Sequence, residues 1–417
     1  MTDIRVIPES DWGRFLDIMV MAYPVFDVKT AEERKKLRER FDRSSRDDRV
    51  SLYGYYRDEQ LLGGLKLYDY SMNLFGRMVL AGGGGSLAVD LLHKKQHVAK
   101  DLMLFFFRHY RDRGAPMALL WPFRPDFYRR MGAGYSSKIH QYAVKPKHLP
   151  TGPSCEHVRF LGPEDIPAIN DCHNRLVTRT TGMIEETLIG REIEFERNKK
   201  WKYLGCEHDG RIDGYLMFQF ERGNPENFVD NHIHVLHMIY ETPEALLELM
   251  TFLHSQLDQI NRVIIDSYDD DFHFLPTNPR NRSGRMIPPV HHECHRSGVG
   301  IMYRVLSLPH LFEALTDRHF DGDNQTIGFD LSDTFLPEND DRYNIVFEDG
   351  RARFDKTGSS QVDIALSVAD FSSLIMGAVN FRSLIQYSLA TISDNSQLDA
   401  IDRLFSVHRK PVTFADF

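Results

Sequence analysis

The chain is poor in cysteine: four in 417 residues, Cys155, Cys172, Cys206 and Cys294, with no Cys-x-x-Cys pair among them. That spacing excludes a disulfide framework and a zinc ribbon. No run approaches the ~18 apolar residues of a membrane-spanning helix. The start, Met1-Thr2-Asp3-Ile4-Arg5-Val6, lacks the basic-then-apolar pattern of a secretory leader, so a cytoplasmic location is expected. Positive charge is also short: 51 Lys and Arg face 60 Asp and Glu, a formal net charge of −9. This argues against bulk binding of nucleic acid or anionic membrane. The four glycines Gly82–Gly85 lack the following Gly-Lys-Ser/Thr of a phosphate loop and the spacing of a dinucleotide fingerprint. They read as a flexible connection between two strands. His291 and His295 are four apart, but His292 stands where a zincin needs Glu, so no metal is expected.

What is present is an order of elements that occurs twice. A short strand at Ile4 is followed by a helix opening at Pro8–Asp11, a second helix over residues 30–41, and a strand pair over 51–68. A further strand ends at Val89, a basic loop follows, then a helix over 98–112 whose Val98, Leu102, Phe105, Phe106 and Tyr110 recur at helical spacing, then a buried strand ending at Trp121. Tyr53, Leu61, Leu62 and Gly64 are matched at constant offset by Tyr203, Arg211, Ile212 and Gly214, and Asp209-Gly210 is a hairpin turn. The remainder differs: alternating strands meet at Asp349-Gly350, and helices fit 368–376 and 398–405. The fold class is a mixture of α/β and α+β, with domains at 1–150, 151–306 and 307–417.

Two segments carry chemistry. Leu87-Ala88-Val89 ends a strand, and Lys94-Lys95-Gln96-His97-Val98-Ala99-Lys100 leads into a helix. Free N–H groups at that helix start, beside lysines, suit a diphosphate. Tyr128, in Pro125-Asp126-Phe127-Tyr128-Arg129-Arg130-Met131-Gly132, can donate to a developing thiolate.

Together with Asp270-Asp271-Phe272, Val290-His291-His292-Glu293, Gly298–Val305 and Asp370-Phe371-Ser372-Ser373, these segments make the chain resemble the Eis-type (enhanced intracellular survival) acetyltransferases of the GNAT superfamily. The resemblance spans essentially the whole chain. It implies two tandem GNAT folds followed by a sterol-carrier-like domain, with acetyl-CoA as co-substrate and an amine of a small polycation or a lysine side chain as acceptor. It places the pantetheine arm on the main chain of Leu87, Ala88 and Val89, the diphosphate on Lys94–Lys100, and a further contact at Phe123 and Arg124. Tyr128 becomes the proton donor and the carboxylate of Phe417 the general base. Phe26, Asp27 and Asp416 are acceptor-side candidates. The resemblance also implies a homo-oligomer, a hexamer. The departure is in the loop, where Lys94-x-x-His97-x-Ala99 replaces an Arg-rich pattern with Gly, weakening forked phosphate contacts. In the second copy Glu241 and Glu244 stand where the first has lysines, so only the first should bind CoA. The competing reading is a ligand carrier or sensor without catalysis, built on the third domain.

Overall fold

The computed structural model describes residues 2–26, 28–197, 199–281, 283–356 and 358–414. The chain forms two units. The first begins with β1 (Thr2–Val6), α1 (Trp12–Ala22), α2 (Ala31–Ser44), β2 (Val50–Arg57), β3 (Gln60–Leu74), β4 (Arg77–Val89), α3 (Val98–Asp112), β5 (Met117–Leu120), α4 (Pro125–Arg129) and β6 (Gly134–Tyr135). The second holds β7 (Lys138–Val144), β8 (Val158–Leu161), α5 (Ile166–Val177), α6 (Leu188–Arg197), β9 (Lys202–His208), β10 (Arg211–Asn224), β11 (Asn227–Tyr240), α7 (Pro243–Ser255), β12 (Ile260–Ser267), β13 (Met286–Ile287), β14 (His291–His292) and β15 (His295–Val299). The chain then returns to the first unit with β16 (Met302–Val305), α8 (Leu308–Ala314), β17 (Gln325–Ser332), β18 (Asp341–Glu348), β19 (Arg351–Asp355), β20 (Val362–Ser367), α9 (Val368–Ile375), α10 (Phe381–Gln386), β21 (Ala390–Ile392) and α11 (Leu398–Phe405).

Each duplicated half builds one sheet, in the order β1-β2-β3-β4-β5-β16-β6 and β15-β7-β12-β11-β10-β9-β8. β16 is therefore a strand of the first sheet and β7 a strand of the second. Each of these two sheets thus takes one strand from across the 150 limit, β16 from within 151–306 and β7 from within 1–150. The third sheet runs β19-β18-β17-β20-β21. The local signals act as their chemistry dictates. Thr30 and Glu33 form a reciprocal capping box at the start of α2. Asp209-Gly210 and Asp349-Gly350 both adopt the positive φ of a two-residue hairpin turn.

The glycine run is a correction. Gly82–Gly85 do not connect two strands; they lie inside β4. A Cβ on Gly82 would sit 2.3 Å from the Tyr110 ring, one on Gly83 2.1 Å from Tyr70, and one on Gly84 2.7 Å from Phe106. Glycine is required by the large rings that lie on the strand, not by flexibility.

In the first unit α3 covers one face of the sheet through Val98, Leu102, Phe106 and Tyr110. The other face is shared. Trp12, Phe15, Leu16 and Phe41 of α1 and α2 pack on one part of it. Met117, Leu119, Tyr303 and Val305 continue into a core with Phe329, Phe371, Leu374 and Phe405 of the C-terminal domain. Helix α9, which a carrier reading needs as the wall of a ligand pocket, is buried along its whole length. Among the described residues no helix is long and apolar enough to cross a membrane.

Candidate active site

The parallel pair β4·β5 is short. Ala81–Gly84 face Met117–Leu120, and β5 then ends. Past that point Gly85–Val89 has β3 on one edge and, among the described residues, no strand on the other. A bulge sits there: β3 advances from Gly64 to Lys66 while β4 runs from Ala88 back to Gly85, and Ser86 takes φ +52°. Asp90 donates its N–H to Leu62 O at 2.8 Å, so alternation turns Ala88 toward β3 and points the main-chain groups of Val89 and Leu87 to the open edge. The carbonyl of Leu87 accepts the Tyr23 hydroxyl at 2.6 Å. The groups left over, the N–H and C=O of Val89 and the N–H of Leu87, can pair an amide-bearing chain as an added strand would be paired.

The loop after β4 leads to α3. Lys94, Lys95, Gln96 and His97 are exposed, while the Val98 side chain is buried under the sheet. Lys95 and His97 hold φ +65° and +64°. Both hold the left-handed conformation that favours glycine, with side chains added. No side chain caps α3, which leaves the N–H groups of Val98, Ala99 and Lys100 for an anion. Arg57, at the end of β2, donates to Gln96 Oε1 at 2.6 Å. It brings to the loop a guanidinium that the sequence reading missed, because it comes from a strand 39 positions away.

Tyr128 lies on α4. Its side chain is 4% exposed, and among the described residues nothing bonds its hydroxyl. Burial, with Tyr23 nearby, raises its proton affinity above that of a free phenol. Tyr23 is pushed up to about 12 by burial alone. Phe123, 64% exposed, sets its ring edge-on to both tyrosines, 6.2 Å from Tyr23 and 6.0 Å from Tyr128. Phe26 lies edge-on to Tyr23 at 6.1 Å. The structure therefore brings Leu87, Phe26, Phe123 and Tyr128 together, with Tyr23 as their link. Tyr23 was missed; its only sequence signal is the helix stop Ala22-Tyr23-Pro24. Arg124 is tied to Asp126 at 2.7 Å.

The C-terminal domain holds α4 in place. Arg129 pairs with the buried Asp370, and Ser373 Oγ donates to Tyr135 O at 2.8 Å. Gly132, at φ +82°, leaves room for the Arg304 guanidinium, 1.7 Å from where a Cβ would sit. Arg304 in turn pairs with Asp333 at 2.7 Å, both side chains 1% exposed. The tail is anchored as well: Pro411 and Thr413 are buried, and Val412 donates its N–H to Thr181 O at 3.0 Å. Asp27, Asp416 and Phe417 lie outside the described residues.

The second copy repeats the bulge, between Met217 and Phe218 opposite β11, but not the loop. Residues 90–97 join strand to helix in the first copy; Glu241 and Thr242 alone do so in the second. Thr242 Oγ1 accepts Ala245 N–H at 3.1 Å, and Pro243 has no N–H to offer. The expected repulsion by Glu241 and Glu244 is left to Glu244, which is exposed; Glu241 is compensated. Burial works to raise the Glu241 pKa, but hydrogen bonds from Arg175 and Arg211, each 2.8 Å, outweigh that, keep the carboxylate ionised and offset its charge with two guanidiniums. The anion site is missing because the loop is missing and the helix is capped.

Residues 3–136 match an acetyltransferase (GNAT) domain family, residues 176–305 match a second acetyltransferase (GNAT) domain family, and residues 311–413 match the sterol carrier protein domain family. An uncharacterized N-acetyltransferase of Streptomyces avermitilis is 23% identical over 405 residues, covering 92% of this chain and 91% of its own. The crystal structure of Eis1 from Mycobacterium abscessus superposes with a TM-score of 0.78 at 18% identity, covering 100% of both chains. A probable N-acyltransferase from Enterococcus faecalis does so with a TM-score of 0.80 at 16% identity, again over 100% of both. Two GNAT domains followed by a sterol carrier domain define a GNAT acyltransferase. Its architecture is Eis-like, and its reaction is acetyl transfer.

Proposed function

We propose that the chain moves the acetyl group of acetyl-CoA to an amine of a small polycationic molecule or a lysine side chain, and that the first domain alone does so. The observation that carries this reading is the open edge of β4 running into the uncapped start of α3. The second copy lacks that continuation. Acetyl-CoA supplies an activated thioester. Val89 and the Leu87 N–H align its amide-bearing arm, and the α3 N–H groups with Lys94, Lys95, Lys100 and Arg57 hold its diphosphate. Tyr128 Oη keeps its proton and donates a hydrogen bond to the leaving sulfur. Complete transfer from a phenol of pKa ~10 to a thiolate of ~8.5 is uphill by about 2 kcal/mol, and burial of Tyr128 widens that gap. The hydrogen bond therefore carries the effect.

On the acceptor side Phe26 offers an aromatic wall beside Tyr23, with Asp27 next to it in sequence. On the resemblance, Asp416 and Phe417 are the acceptor-side groups of the tail, Phe417 the base that takes the proton of the ammonium; Pro411–Thr413, a few residues before them, is anchored. A cytoplasmic hexamer remains part of this proposal, on the resemblance. Calorimetry of acetyl-CoA binding should give one site per chain, and an amine library read by thiol release should identify the acceptor class. Two equivalent sites per chain would overturn the assignment to the first domain.

A further inference from the structure

We propose that His157, His208 and Glu248 of the second domain bind a divalent transition-metal ion of the zinc class. This departs from the expectation of no metal. The three residues come from the segment before β8, the end of β9 and helix α7, 51 and 40 positions apart, so no spacing motif announces them. Their ligand atoms all lie within 4.8 Å of one another. Both imidazoles converge on one carboxylate oxygen: His157 Nδ1 is 2.8 Å and His208 Nε2 3.3 Å from Glu248 Oε1. A tetrahedral ion with bonds of about 2.0–2.2 Å spaces its ligand atoms by about 3.3 Å, so little movement is needed.

Two of the three ligands are also held from behind. His208 Nδ1 lies 3.3 Å from Asp213 Oδ2, the carboxylate–histidine arrangement that orients metal-bound imidazoles. Glu248 Oε2 accepts the His157 main-chain N–H at 3.2 Å. Glu248 is the sixth residue of α7, and the sixth residue of α3 is the buried Met103. The duplicated helix thus carries a carboxylate, its side chain only 12% exposed, at a core-facing position. A buried carboxylate needs a cation or donors to compensate it. Glu156 and Asp209 add negative charge around His157, while Arg211, 3.2 Å from Asp213, opposes them. His157 is 41% exposed, which leaves a path for the ion and an open side for water. Two imidazole nitrogens and one carboxylate oxygen suit zinc, cobalt or nickel rather than magnesium or calcium.

The test is titration of chelator-treated full-length protein with zinc chloride by calorimetry and with cobalt chloride by visible absorption. One tight equivalent per chain is expected, with low-symmetry cobalt bands. His157→Gln and His208→Gln should each weaken that equivalent at least ~10-fold while keeping the metal-free melting temperature. His292→Gln, exposed on β14, should leave it unchanged. No tight equivalent in the wild type, or unaltered titrations for both His157→Gln and His208→Gln, would overturn the site.

Discussion

Replacing Tyr128 by Phe removes one hydroxyl and nothing else from the ring cluster at the β4 edge. Among the described residues that hydroxyl bonds no protein group, so folding stability should move by less than about 0.5 kcal/mol. The chemical effect is of another size. One preorganised donor aimed at developing charge contributes about 2.7–4 kcal/mol, or 10²–10³ in kcat, and general acids lie in the same range. We expect kcat for thiol release to fall about 10²-fold with the KM for acetyl-CoA nearly unchanged. Tyr23→Phe is the contrasting perturbation. It removes the 2.6 Å hydrogen bond to Leu87 O, a loss of about 1 kcal/mol, and frees the edge that aligns the pantetheine arm. Its loss should appear chiefly in KM. Burial keeps Tyr128 protonated above the usual phenol range, so no fall in kcat from this group is expected below about pH 10. Steady-state thiol release across pH 6–10 separates the two roles. If Tyr128→Phe retains kcat within about threefold, the hydroxyl carries no catalytic role. If Tyr23→Phe loses kcat with KM intact, the roles have been assigned to the wrong tyrosines.

Three further outcomes follow from buried or strained groups. Lys66 is buried against the Phe41 ring and donates to Ser44 Oγ at 2.8 Å, and burial lowers its pKa from 10.5 to about 8. The unfolded chain therefore binds the extra proton between those values and stability rises with pH across that window; at pH 7 Lys66→Met should gain about 2 kcal/mol, some 3 from relieved desolvation less about 1 for the hydrogen bond, read by denaturant unfolding. Arg129→Met strands the Asp370 carboxylate, only 8% exposed, and should cost about 3 kcal/mol and lower kcat by displacing α4; adding Asp370→Asn should recover most of both. His97→Gly relieves a left-handed backbone worth about 1–2 kcal/mol against up to about 1 of added unfolded-state entropy, so acetyl-CoA affinity by calorimetry should rise or hold, never fall tenfold.

The fold was legible wherever local chemistry dictates it. The Asp-Gly turns, the capping box of α2 and the helical spacing of α3 each act within a few residues. The constant offset between Tyr53 and Tyr203 carried the duplication. The exchange of β7 and β16 between the sheets was not legible, because strand neighbours are decided by pairing between distant segments, β7 with β12 and β15 and β16 with β5 and β6, and neither strand carries a local signal of its partner. Gly82–Gly85 misled for a related reason. Glycine signals flexibility when only its own backbone is considered, but here Tyr110, Tyr70 and Phe106, from other elements, require the missing side chains.

The candidate site divides along the same line. Leu87–Val89 and Lys94–Lys100 form one continuous segment, so strand end, loop and helix start could be read together. Tyr23 and Arg57 reach that segment only through the sheet, and neither carries a pattern of its own. The contrast between the two copies shows which physical feature matters. Charge reversal at Glu241 and Glu244 looked sufficient in sequence, yet Arg175 and Arg211 offset the first of the two. What the second copy lacks is backbone: the residues between strand and helix, and free N–H groups at the helix start, which Thr242 and Pro243 remove. A charge substitution in that loop should therefore not restore an anion site. Insertion of residues matching 90–97 between Tyr240 and an uncapped α7 is the smallest change that supplies the geometry.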